Sequence, residues 1–319
     1  MINLRYHIVS LVAVFLALAI GIVVGSTVLK EGTVGVLRTT SNQLIRESKQ
    51  ARDENSALRG QLNAYKTFGD AVLPDLAKDR LKGRSAVLLD TDRVDDPTRN
   101  AVQDAIKAAG ADVDGRVTFS SDRLGLAAQG DRDSLNALLG TDLADPDTLR
   151  RSLADRLAGR LTNPGRLPRG GDRARDLLTG LDDAKFLADM RLADKAMQDG
   201  TVAFPRAGSM FVIIGPTGNP TPLDPLTFLV PLADRLSVRA APVPVAGVEA
   251  AAPGGTSWVE KLRGARGVPD RVSTVDDVDL PYGQLALDEA LQRGWQSQPA
   301  GHYGTKARAT GLLPGSVQR

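Results

Sequence analysis

The chain contains no cysteine. Disulfides and thiolate metal sites are therefore excluded. Histidine is nearly as scarce, with only His7 and His302, and neither has a serine or aspartate at a spacing that suggests a catalytic triad. Of four methionines one is the terminal Met1, which leaves Met190, Met197, Met210 and His302 as the soft or imidazole ligands a copper ion would need. Met190 and Met197 lie seven apart and read as one face of a helix over Ala184–Gln198, packed with Phe186 and Leu187. The formal net charge is only +2 over 319 residues. Phosphate binding requires a concentrated basic face, so nucleic acid is not expected as a partner. No second long apolar run follows the first, and the alternating strands of roughly 9–11 residues that a membrane barrel requires are absent.

One uncharged apolar run is present, Ile8–Leu29, flanked by Arg5 and Lys30. Its 22 residues span about 33 Å as a helix, enough to cross a bilayer core. The alternative is a signal peptide cut near Gly25, Ser26 and Thr27. The run is longer than the usual apolar region of such a peptide and the segment before it is thin, which favours a retained anchor. Both flanks are basic, so charge gives only a slight preference for the N-terminus inside. A short N-terminal signal-anchor ordinarily exports the chain beyond it, which places the remainder outside the cytoplasm.

Beyond the anchor, Leu37, Leu44, Ala51, Leu58 and Tyr65 recur every seven residues. With these at d, the a positions are Val34, Ser41, Ser48, Asn55 and Leu62. The pattern predicts a coiled coil whose polar a residues limit its strength, and Asn55 favours a dimer. Glu47 and Glu54 fall at g while Arg52 and Arg59 fall at e, the pairing of a parallel dimer. Leu37, Leu44, Asn55, Leu58 and Leu62 are thus the expected partner-binding residues. The partner is a second copy or the coiled coil of another protein; a lone solvated helix is the remaining alternative.

The rest divides into short strands and helices. Pro74–Arg84 reads as a charged hinge and Ser85–Asp90 as a buried strand. Asp96, with Pro97 just inside, caps a helix to about Ala109, and Val113–Ser120 is a second strand. Further helices are expected over Asp131–Gly140, Pro146–Leu157, Pro222–Ser237 and Tyr282–Arg293. Further strands are expected at Thr201–Phe204, Met210–Gly215, Pro242–Ala246 and Val272–Val275. Thr162–Arg175 and Ala250–Gly255 read as loops, and the Gly-rich tail from Gln298 as loose. This βαβ alternation predicts an α/β protein with a Rossmann-like or flavodoxin-like three-layer domain. The organisation is an anchor over 1–30, a stalk over 31–73 and an extracytoplasmic domain over 74–319.

Two carboxylate pairs stand just after strands: Asp90 with Asp92, and Asp276 with Asp277. Their outline resembles the haloacid-dehalogenase phosphatases. There the first Asp attacks phosphorus, the second is acid and base, and the later pair helps hold magnesium, with Ser120 and Lys195 available for the remaining roles. The plainer reading is that Asp residues at strand ends cap the following helices, and the residue after the second Asp departs from that pattern. Gly215-Pro-Thr-Gly218 lacks the Lys-Ser/Thr of a phosphate loop, and its prolines remove donors, so it reads as a turn. No catalytic residue and no resident cofactor is expected.

Three stretches carry a family resemblance. The start MINLRYH runs into SLVAVFLALA and GIVVGS; STVDDVD spans Ser273–Asp279; and Gly301-His-Tyr-Gly304 lies near the end. Together they resemble the actinobacterial MctB family, named for mycobacterial copper transport protein B. The resemblance implies a membrane protein of copper homeostasis and copper transport, including an outer-membrane channel. Some relatives resemble partners in a cell-division complex that controls cell-wall hydrolases. One membrane helix cannot enclose a channel, so the residues favour a non-enzymatic scaffold over a pore, with copper handling as the alternative.

Overall fold

A computed structural model of the chain describes residues 4–163, 165–167, 176–193, 203–216, 222–251 and 257–315. The side chains of residues 4–5, 26–38 and 166 lie outside that description. The chain forms two compact units, Met1–Tyr65 and Lys66–Arg319.

The first unit is helical. Helix α1 covers Leu4–Ala77. Its segment Tyr6–Gly25 has a mean hydropathy of 2.9 and is long and apolar enough to cross a membrane, and its apolar side chains point outward. A helix apolar all round needs lipid or protein about it rather than water.

The second unit is built on a seven-stranded sheet. Its strands are β1 (Ser85–Thr91), β2 (Asp112–Phe119), β4 (Leu187–Leu192), β6 (Met210–Ile214), β7 (Val245–Val248), β8 (Val272–Val275) and β9 (His302–Tyr303). Their order is β4-β2-β1-β6-β7-β8-β9. All neighbours run parallel except β4, which is antiparallel to β2. Strands β3 (Gly165–Arg166) and β5 (Ala203–Phe204) form a separate antiparallel pair. The central strands are apolar on both faces because both are covered. Val87, Leu89, Phe211 and Ile213 enter one core; Ala86, Leu88, Met210, Val212 and Ile214 enter the other.

Helices α4 (Gln129–Leu139), α5 (Pro146–Thr162), α6 (Leu177–Asp183), α7 (Leu229–Arg239) and α8 (Trp258–Gly264) fill the first face, near the four-residue α3 (Ser121–Leu124). Helices α2 (Asp96–Ala108) and α9 (Pro281–Trp295) cover the second, joined by Leu73 and Ala77 from the end of α1 and by Leu81. The domain is therefore three-layered and α/β.

Several expectations are corrected. Leu187–Leu192, which reads as helix, is an edge strand, because Leu187, Asp189, Met190, Arg191 and Leu192 pair with β2. The later part of that segment, with Met197 and Lys195, lies outside the described residues. Pro74 belongs to α1, which ends at Ala77, so the hinge shortens to the turns before β1. The cap of α2 is Asp95, whose carboxylate accepts from the Thr98 amide at 2.8 Å. Pro222–Ser237 divides into a 3-10 turn, Pro225–Thr227, and α7. The tail is not loose through residue 315: β9 joins the sheet and Tyr303 is buried.

Candidate functional site

In a sheet with helices on both faces, ligands bind beyond the carboxyl ends of the strands, where the order reverses. Here that reversal lies at β1, between β2 and β6. Asp90, in β1, is fully buried and accepts from Arg99 Nε at 2.6 Å, while Arg99 also donates to the Thr91 carbonyl. Burial raises the Asp90 pKa, opposed by Thr118 and Arg99. Asp92 accepts the Ser121 amide at 3.1 Å. After β6, the Trp258 indole packs tightly on Gly215 and donates to the Val248 carbonyl, while Thr217 and Gly218 lie outside the described residues.

The second pair sits at the end of β8. Asp276 and Arg263 are both fully buried and 2.9 Å apart. Arg263 also donates to Thr274 Oγ1 at 2.8 Å and to the Tyr303 carbonyl at 2.9 Å. Asp276 accepts the Thr305 amide at 2.6 Å. Its pKa is raised, with burial the largest cause. Asp277 accepts from Tyr282 Oη at 2.8 Å and Thr305 Oγ1 at 2.7 Å. At the end of β7, Glu249 accepts from Lys306 Nζ, from Ser257 and from the Trp258 amide. Gly304 makes this closure possible: it sits at φ 129°, and a Cβ there would collide with the Asp276 carboxylate. Glu249, Arg263 and Lys306 carry no sequence motif. The available signal is a charged residue directly ending an apolar strand, VAGVE.

This arrangement fastens the segment after β9 over the ends of β7 and β8. Asp276, Asp277 and Glu249 are each held by donors of the chain itself. The two Asp pairs are not brought together, since β6 and β7 lie between β1 and β8. Three strand spacings amount to about 14 Å.

The copper candidates are also apart. Met190 lies in edge strand β4, Met210 is fully buried in β6, and His302 is in β9 at the opposite edge. His302 Nδ1 is hydrogen-bonded to Thr274 Oγ1 at 2.9 Å. Burial first, then Arg263, lowers its pKa. Among the described residues no three His, Cys, Asp or Glu side chains form a group suited to a metal ion.

The expected partner-binding residues are placed otherwise. Leu44, Leu58 and Leu62 are more than half exposed, with Asn55 exposed between them. The side chain of Leu37 lies outside the described residues. Glu47 and Glu54 each accept a hydrogen bond from a glutamine four residues earlier, Gln43 and Gln50. Arg52 and Arg59 make no ion pair among the described residues, so their charges are available to a partner.

Relatives are found over the whole length. The chain is 26% identical over 316 residues to a protein of Mycobacterium tuberculosis (strain H37Rv) named copper transporter MctB, covering 96% of each chain. A Mycobacterium leprae protein of the same name is 28% identical over 325 residues, covering 98% of this chain and 99% of the relative. The family model described as "Copper transport outer membrane protein, MctB" matches residues 1–314. The chain thus belongs to the MctB family.

Proposed function

We propose that this protein is a membrane-anchored, non-enzymatic assembly module. It pairs through its stalk, and its α/β domain, with a flavodoxin-like order in the parallel core, is the docking body. The reading places the N-terminus inside and the domain outside the cytoplasm. Its part in copper transport is then exerted through the assembly it organises. A role beside cell-division or cell-wall hydrolase partners suits the same design.

The observation that carries this is the stalk's exposed stripe. Leu44, Leu58, Leu62 and Tyr65 keep heptad spacing on a helix that shields none of them. Charge selects the occupant: Glu47 and Glu54 precede Arg52 and Arg59 by five residues each, the interval of pairs across a parallel dimer. At position 69, the next a position, the seam ends within the domain itself, because Gly69 packs against Pro281. A photocrosslinker placed along Leu44–Leu62 in intact cells tests this. A homodimer band supports the reading; crosslinks to another protein alone transfer the seam to that partner; no crosslink ends it.

Family membership favours a second reading, in which copper is cargo bound directly. Met190, Met210 and His302 are spread across the sheet, so this requires another copy or a different arrangement of the chain. Titrating the detergent-solubilised full chain with copper decides it. Stoichiometric binding lost on substituting Met190, Met197, Met210 or His302 establishes direct handling. Absence of binding leaves assembly as the protein's contribution.

A further inference from the structure

Six carboxylates are buried among the described residues: Asp90, Asp114, Glu249, Asp276, Asp277 and Asp288. Five are engaged. Asp90 faces Arg99, Asp276 faces Arg263, Glu249 faces Lys306, Asp114 faces Arg206 and Ser209, and Asp277 faces Tyr282 and Thr305. Asp288 is the exception. It is fully buried in the middle of α9, and neither carboxylate oxygen has a hydrogen-bond partner among the described residues. A charged carboxylate without a partner is not tolerated in such a place, so the group is held as the neutral acid.

Its surroundings make this more than a packing defect. Helix α9 contacts β7, β8 and α2, and Pro281 at its start packs on Gly69 of α1. Leu73, Ala77 and Leu81 share one core with Leu287, Ala290 and Leu291 of α9. Strands β7 and β8 carry no charged residue; at Asp288 the charge of Arg80, from the turn after α1, opposes the effect of burial, and that of its neighbour Glu289 adds to it. Arg80 is engaged elsewhere, 2.8 Å from Glu289 and hydrogen-bonded to the Leu76 carbonyl. Lys66 and Asp70 pair with each other, and Lys66 also donates to the Asp279 carbonyl. Arg80 is thus shared between Glu289 and the Leu76 carbonyl, and it makes no hydrogen bond to Asp288.

We propose that Asp288 is a proton-binding site that locks the last turns of α1 onto α9, holding them when neutral and releasing them when it ionises. Linkage sets the direction. Burial, the dominant cause, raises the Asp288 pKa well above the ordinary carboxylate value, against a smaller opposing pull from Arg80. The docked form keeps its proton after the undocked form has lost it. Docking is strongest below the ordinary value and weakens as pH rises toward the shifted one. One proton is exchanged, so the opening equilibrium grows by up to about ten-fold per pH unit in that window.

The test is hydrogen exchange on the full chain in detergent from pH 5 to pH 8, corrected for the intrinsic pH dependence of exchange. Amides over 70–81 should open progressively more as pH rises, while those of Val87–Leu89 hold constant. Asp288→Asn, neutral at every pH, should flatten the slope; Asp288→Leu should flatten it too and serves if the amide variant folds poorly. A flat wild-type profile overturns the proposal, as does a slope that persists in the variants. Equal slopes at 70–81 and Val87–Leu89 also overturn it, because Asp288 would then govern the whole domain and not this joint.

Discussion

Asp276 and Arg263 show what a side chain can be asked to do once water is gone. Each is fully buried, and each satisfies the other together with the Thr274 hydroxyl of β8 and the backbone of Tyr303 and Thr305. Breaking such a pair from one side leaves a lone charge in the interior. Arg263→Met should therefore destabilise the domain by about 3–5 kcal/mol. The check is chemical denaturation of the full chain in detergent. His302 provides the opposite sign to Asp288. Its folded pKa is lowered, so below about 6.5 the unfolded chain gains a proton that the folded chain refuses. Stability should fall with acid through that range, and His302→Gln should remove this part of the loss in a pH series of melting curves. The sequence displays the Asp pairs but not their partners. Lys306 and Arg263 lie about thirty and thirteen residues from Asp276, and only folding sets them side by side.

Among the elements, α1 and β4 mark how far local pattern reaches. The apolar periodicity of the stalk is a property of one continuous stretch, so helix and heptad are both legible. Leu44→Gln with Leu58→Gln should shift a dimeric chain to monomer in sedimentation equilibrium while leaving the melting of the α/β domain unchanged. On the proposed parallel pairing, Asn55→Ile should tighten association and admit higher oligomers, because the a-position amide that would restrict the state is lost. Strand β4 defeats the local pattern, because LADMRL has the spacing of a helix face. Pairing with β2 supplies the hydrogen bonds and overrides that preference. Strand β9 has two residues and no pattern of its own; β8 makes it a strand. Gly304→Ala should cost at least about 2 kcal/mol, through both its backbone angle and its collision with Asp276. Comparative unfolding of that variant measures it.

At the scale of the molecule, the N-terminal helix is long and apolar enough to cross a membrane. Leu16→Arg puts a charge near the middle of Tyr6–Gly25, at an insertion cost of about 2.5–3.5 kcal/mol. The variant should shift from the membrane fraction toward the soluble one after alkaline extraction. The amino-acid order alone determined that apolar helix, the stalk periodicity, the βαβ opening and the family. Each is a contiguous run or a local repeat, and its physics needs no distant partner. Only the tertiary structure decided which charged groups lie in the dry interior, which edge carries β4 and which β9, and that Met190, Met210 and His302 do not converge. Those outcomes depend on contacts between residues far apart in the chain, where strand order and burial, rather than spacing, choose the neighbours.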